Sequence, residues 1–163
     1  MPAGGHLWLR AVAYMLAVGG IHYVAIPLVL TVGEPRLRFR GRWPVVLGAG
    51  LVTSGVALAF AAAHALVTRG KGTPFPLDPT RCLVLDGPYR YLRNPQAVAA
   101  TLIVTGEVLA LKSRRLWLLL PLTLLYLEGL AAPMERREMV ARFGRPYLLY
   151  RQRVPAWFPR PFR

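Results

Sequence analysis

Two polar clusters in an otherwise apolar chain hold the residues best suited to chemistry. The first is "GPYRYLRNPQAVA", residues 87–99, with Tyr89, Arg93, Asn94 and Pro95 ahead of small apolar residues. The second runs from Glu135 to Arg153 and includes Tyr147 and Tyr150. A guanidinium such as Arg93 forms a planar fork that fits a carboxylate through two hydrogen bonds. Asn94 offers one acceptor and one donor group but cannot act as a general base. Pro95 suits the first position of a helix, where no amide donor is needed. Glu135 can accept from hydroxyl or ammonium groups, or be a solvated charge favoured near a helix start. Arg90, Arg93 and Tyr91 can equally serve as membrane-interface residues. Two further carboxylates, Glu107 and Glu128, interrupt apolar runs. Such groups mark ion pathways, pair with arginines or face a ligand cavity.

Other chemistries find little support. His6, His22 and His64 are scattered, no His-x-x-x-His or paired-cysteine spacing occurs, and no metal site is expected. His22 is expected to bond across helices. The single cysteine, Cys82, excludes an internal disulfide and reads as a small, half-buried apolar residue. No nucleophile elbow, P-loop or kinase signature is present.

The elements that must position these residues follow from composition. Of 163 residues, 55% are hydrophobic and 17% charged, with a net charge of +14. Disordered chains are poor in apolar residues, so disorder is excluded. Four apolar segments appear: Leu7 to Val32, Trp43 to Val67, Gln96 to Leu111 and Leu116 to Ala132. Crossing ~30 Å of hydrocarbon takes about 20 helical residues. The first two segments suffice; the last two read as a shorter hairpin. Arg10 lies near enough to the end of its segment to snorkel. The N-terminus has no basic stretch before its apolar run, so the first span is expected to be retained.

Basic residues gather between the apolar runs, as in loops flanking membrane spans, and no nucleic-acid motif accompanies them. Four crossings put 14 of the 21 Lys and Arg residues on one side, with both termini and the 68–95 loop. The positive-inside rule makes that side cytoplasmic. Prolines and glycines make residues 68–95 an ordered loop. After Pro133, Met134, Met139, Val140 and Phe143 suit an amphipathic helix stopped by Gly144. The ending "RVPAWFPRPFR" suits the headgroup layer. Gly48, Gly50, Ser54, Gly55 and Ala59 read as a close helix-packing surface. The expected fold is an all-α integral membrane bundle of about four transmembrane helices, with a C-terminal amphipathic helix and an ordered cytoplasmic loop. It would form one domain over residues 1–163, with 68–95 and 133–163 capping a pocket between lipid and water.

The two clusters together resemble the isoprenylcysteine carboxyl methyltransferase family, which groups with the phospholipid methyltransferases. That pattern is Gly-x-Tyr, Arg-His-Pro-x-Tyr-x-Gly, a helical hairpin, Glu-Glu-x-x-Leu-x-x-x-Phe-Gly-x-x-Tyr-x-x-Tyr and Val-Pro. Residues 83–159 follow its order and spacing, with Asn94 in place of histidine, Ala97 and Ala99 in place of tyrosine and glycine, and Arg136 in place of the second glutamate. Asn-Pro at this point is also a tendency of the phospholipid branch. The resemblance implies S-adenosylmethionine as cofactor, held by Tyr89, Arg93, Asn94, Pro95, Glu135, Tyr147 and Tyr150, with Arg93 and Asn94 nearest the chemistry. It implies a lipophilic or membrane-partitioned methyl acceptor: a prenylcysteine carboxylate, a lipid amine or a thiol. Glu107, Glu128 and Arg153 are the candidate acceptor contacts. Two rival readings are an NADPH-dependent membrane reductase of related architecture and a small transporter using Glu107 and Glu128.

Overall fold

The computed structural model describes residues 3–74 and 78–158. Residues 159–163 of the expected headgroup tail (153–163) and residues 75–77 of the 68–95 loop lie outside the described residues. Helix α1 (Ala3–Gly20) passes through a wide π-turn (Ile21–Ala25) into α2 (Ile26–Thr31). Helix α3 (Trp43–Thr68) follows, then a 3-10 turn at Gly87–Arg90 and α4 (Pro95–Leu111). Helix α5 (Leu116–Tyr126) continues through a second π-turn (Leu127–Ala131) into α6 (Ala132–Phe143), and α7 (Arg145–Arg153) ends the helical part. The described residues contain no strand.

Three helical stretches are long and apolar enough to cross a membrane: Gly5–Thr31, Trp43–Thr68 and Leu116–Phe143, while Pro95–Leu111 is shorter. Their flanks expose large apolar side chains such as Leu16, Val29, Val46, Leu118 and Leu125. The chain is thus a helical membrane bundle. The expected break at Pro133 does not occur: Leu116 to Phe143 is one 28-residue helical stretch. A proline inside an α-helix removes a hydrogen bond and crowds the carbonyl four residues back. Here the Ala132 N–H bonds Leu127 O, five residues back, just before Pro133. The wider turn absorbs the ring. The same device precedes Pro27, where the Ile26 N–H bonds Ile21 O. The amphipathic segment after Pro133 is therefore the continuation of the fourth apolar helix. Gly144 does end it, with φ +54°.

Helices α3 and α4 pack backbone to backbone. A Cβ on Gly48 would lie 2.5 Å from Gly106 O, and one on Gly106 would lie 2.5 Å from Gly48 O. Gly55 is similarly tight, 2.8 Å from Ala99 O. Lipid gives apolar helices little reason to associate, so close van der Waals contact through small residues holds such pairs. Gly50, by contrast, has nothing within 4 Å of an added Cβ, and Ser54 is exposed. Val104, Val108 and Leu116 form the bundle core against Tyr23, Leu30, Leu119 and Leu120.

Each end of the bundle is tied by polar contacts. At one end Arg10 pairs with Asp78 at 3.4 Å, joining α1 to the 68–95 loop rather than merely snorkelling. The described part of the loop is folded by turns: Gly70 O accepts from the Arg81 N–H at 2.7 Å and the Cys82 N–H at 3.1 Å. The Cys82 side chain is exposed rather than half-buried, because only its backbone is drawn into this turn. At the other end the Glu34 carboxylate accepts from the Ser113 hydroxyl and from the Arg115 N–H at 2.9 Å. His22 makes no cross-helix hydrogen bond among the described residues; its ring sits edge-on to that of Tyr23 at 5.9 Å.

Candidate active site

Helix α4 begins at Asn94, whose side-chain oxygen accepts from the Ala97 N–H at 3.2 Å, with Pro95 as the first helical residue. This is an ordinary N-cap, satisfying one of the amides that a helix start leaves unpaired. It commits the carbonyl of Asn94 to the helix and leaves its NH2 group available. The preceding residue, Arg93, is held by the C-terminal segment. Its backbone N–H donates to Pro155 O at 2.7 Å, and its guanidinium Nη1 donates to Arg151 O at 3.2 Å.

These residues form one wall of a recess lined by Arg93, Asn94, Glu128, Ala132, Glu135, Arg136, Tyr147 and Ala156. Five segments meet there: the start of α4, the second π-turn, α6, α7 and the tail. Glu128, Ala132, Glu135 and Arg136 recur every three or four residues and so share one face of the helix running through Pro133. Two carboxylates and two guanidiniums give the recess both signs of charge. Glu135 and Arg136 make no hydrogen bond or ion pair among the described residues, so their charges are free for a ligand.

Tyr147 lines the recess, and Tyr89 and Tyr150 brace it from behind. The Tyr150 hydroxyl donates to Tyr89 O at 2.7 Å, and the Tyr147 and Tyr150 rings lie 6.3 Å apart. Burial pushes the Tyr89, Tyr147 and Tyr150 phenols above their usual value; Arg93 acts in the opposite direction on the last two. All three stay protonated at neutral pH. They can donate hydrogen bonds but not serve as bases.

Of the residues singled out from sequence, Arg93, Asn94, Glu128, Glu135 and Tyr147 come together around the recess. Tyr89, Pro95 and Tyr150 support it from behind. Arg153 is exposed at the end of α7 and does not line it. Glu107 lies 13 residues along α4 from Asn94, about 20 Å at the helical rise. It is buried in the bundle rather than in the recess. The sequence reading did not include Ala132, Arg136 or Ala156 among the site residues. It also missed the bond from the Trp157 indole N–H to Glu128 Oε1. The helical periodicity of 128, 132, 135 and 136 was the available signal, hidden by the expected break at Pro133.

Comparison with curated proteins and with solved structures found no match. Comparison with protein families matches phospholipid methyltransferase over residues 43–145, from the start of α3 to the first residue of α7. That stretch is well over half of the chain and contains the close α3–α4 pair, the helix cap at Asn94 and the carboxylate face of α6. The chain belongs to the phospholipid methyltransferase family.

Proposed function

We propose that the protein transfers a methyl group from S-adenosylmethionine to a lipophilic or membrane-partitioned acceptor at the recess. The observation that carries this reading is the meeting of Arg93, the Asn94 amide and Glu135 in one recess where an apolar helix leaves the membrane. The family membership makes the protein a membrane methyltransferase; the cofactor, acceptor and residue roles are our assignment.

The available groups fit the cofactor's chemistry. Its amino-acid end carries a carboxylate and an ammonium, and its ribose carries two hydroxyls. Arg93, already steered by Arg151 O, keeps further guanidinium donors for the carboxylate. The unpaired Glu135 would take the ammonium or the ribose hydroxyls. The Asn94 NH2 and the Tyr147 phenol supply neutral donors. Tyr150 and Tyr89 fix α7 against the loop, and Pro95 sets the direction of α4. When bound, S-adenosylmethionine would supply a methyl group on a positively charged sulfur. The chain's part is then to orient that methyl toward the acceptor and to keep water away from the nucleophile. Neither Asn94 nor the protonated phenols can remove a proton, so their part is to position the cofactor.

A membrane-partitioned acceptor is supported by the surroundings of Glu128. Leu125, Leu130 and Met134 on the same helix are exposed, so the recess wall continues into a lipid-facing surface. Glu128 is the residue we assign to the acceptor side, with Arg153 further out on α7. The whole chain would act as one membrane unit, with the 68–95 and 133–163 segments closing the recess. The excess of Lys and Arg on the recess side argues for a cytoplasmic site and cytoplasmic termini.

Titration calorimetry with S-adenosylhomocysteine tests the cofactor assignment. Binding that Arg93→Ala weakens is expected; absence of binding to the folded protein would overturn it. A radiolabelled methyl-transfer assay against lipid amine, thiol and prenylcysteine pools then identifies the acceptor class.

A further inference from the structure

The loop between the first two spans carries the sequence "RLRFRGR", residues 36–42. Exposure alternates along it: Arg36, Arg38 and Arg40 are exposed, while Leu37 and Phe39 are half-buried. An extended chain sends successive side chains to opposite faces. The inward positions are pinned, since the Leu37 N–H donates to Lys112 O at 2.7 Å and the Phe39 ring meets Trp43 edge-on at 6.1 Å. That register forces the three arginines outward as a row. Arg42, beyond the turn at Gly41, and Arg114 from the α4–α5 connection are exposed beside it.

These cations have no partner among the described residues. Arg36, Arg38, Arg40, Arg42 and Arg114 make no side-chain hydrogen bond or ion pair among the described residues. The only acidic residue in the two loops at this end is Glu34, and its carboxylate is occupied by Ser113 and Arg115. Five like charges held together without a counter-charge repel one another unless an anion joins them.

Their level relative to the bilayer identifies that anion. Trp43 opens α3 and Trp117 stands at the start of α5, with 55% and 45% of their surfaces exposed. Exposed tryptophans at the ends of apolar helices sit at the membrane–water interface. The arginine row lies immediately outside that level, where lipid phosphates are. The recess lies toward the opposite end of α3, whose 26 residues extend about 39 Å. This surface is therefore remote from the proposed chemistry and independent of it.

We propose that residues 36–42, with Arg114, form a binding surface for the phosphodiester headgroups of anionic phospholipids in the leaflet opposite the recess. Alternate residues of an extended chain are about 7 Å apart, so neighbouring guanidiniums can hold separate phosphates. Each can do so through a two-pronged hydrogen bond.

The test is native mass spectrometry of the full chain released from mixed micelles containing equal phosphatidylglycerol and phosphatidylcholine. Wild type should retain phosphatidylglycerol preferentially. Arg36→Gln/Arg38→Gln/Arg40→Gln should lower that preference on the order of 100-fold, from roughly fivefold for each basic residue near anionic lipid. Removing the same charge elsewhere, by Arg81→Gln/Arg137→Gln/Arg145→Gln, should change it by less than about twofold if position matters more than net charge. Arg38→Gln alone should lower it about fivefold and carries the test if the triple variant misfolds. Equal retention of the two lipids by wild type would overturn the proposal. So would an undiminished preference in the folded Arg36/Arg38/Arg40 variants, or an equal fall in the matched variant.

Discussion

The backbone N–H of Arg93 donates to the carbonyl of Pro155 at 2.7 Å. The residue that opens one wall of the recess is thereby fastened to the segment that closes the other. Residues 62 positions apart become neighbours through this contact, and the Arg93 guanidinium repeats it by donating to Arg151 O. Cofactor binding and the docking of the C-terminal segment should therefore depend on the same side chain.

Arg93→Ala should weaken S-adenosylhomocysteine binding by about 10- to 100-fold, the range for losing a hydrogen bond between charged groups. Arg93→Lys should recover only part of the loss, because an ammonium cannot reproduce the guanidinium fork. Titration calorimetry on detergent-purified protein measures both. Equal affinity in all three proteins would remove Arg93 from the site.

Trp157→Phe keeps a ring but deletes the indole donor to Glu128. The expected cost is about 1 kcal/mol, since the bond is exposed and partly replaceable by water. Thermal unfolding should shift down modestly, and proteolysis should cut residues 154–158 faster. An unchanged cleavage rate would show that the bond does not hold the tail.

Gly106→Ala and Gly48→Ala each force a methyl group to within 2.5 Å of a backbone oxygen on the facing helix. Each should destabilise the protein by about 1–3 kcal/mol through overpacking. Gly50→Ala meets no atom within 4 Å and should be neutral or slightly stabilising, because alanine favours the helix. Melting temperatures of the three variants in one detergent decide the matter. A similar loss in all three would show that the close α3–α4 contact is not its cause.

Glu34 gives a defined acid sensitivity. The Ser113 hydroxyl, with the Arg115 N–H and the nearby Arg115 charge, holds its carboxyl below the usual value near 4.5. The folded state thus favours the charged form. Its contribution is present above the ordinary carboxylate range and is lost as pH falls through the lower folded value. Stability measured from pH 7 down to pH 3 should fall less steeply in Glu34→Gln than in wild type. Parallel curves would exclude the linkage.

Much of the fold was legible because lipid imposes simple demands on sequence. Uncharged runs such as Trp43 to Val67 must be helices, since no other structure satisfies their backbone there. Prolines and glycines kept the described residues of 68–95 out of a long helix, and turns around Gly70 fold them instead. The lining of the recess was legible where residue type and order coincide, at Arg93, Asn94, Glu135 and Tyr147. What could not be read was three-dimensional continuity across Pro133. A proline ordinarily argues for a helix boundary, and only the preceding π-turn overrides it. The contact between Trp157 and Glu128 spans 29 residues and carries no local signature. The inward fate of Glu107 likewise depends on how the first π-turn, α2 and α5 flank α4, which spacing within α4 does not encode.

The second π-turn also has an evolutionary consequence. A wide turn amounts to one extra residue threaded into an otherwise regular helix, and that residue turns everything downstream by about 100°. The membrane half of the Leu116–Phe143 rod and its water-facing half are thus two gears set at a chosen phase. Losing or gaining one residue within 127–131 would swing Glu135 and Arg136 out of the recess while leaving the apolar half in place. A single-codon deletion there could silence or redirect the site without disturbing insertion into the bilayer, which makes that turn the most economical point for descendants of this sequence to diverge.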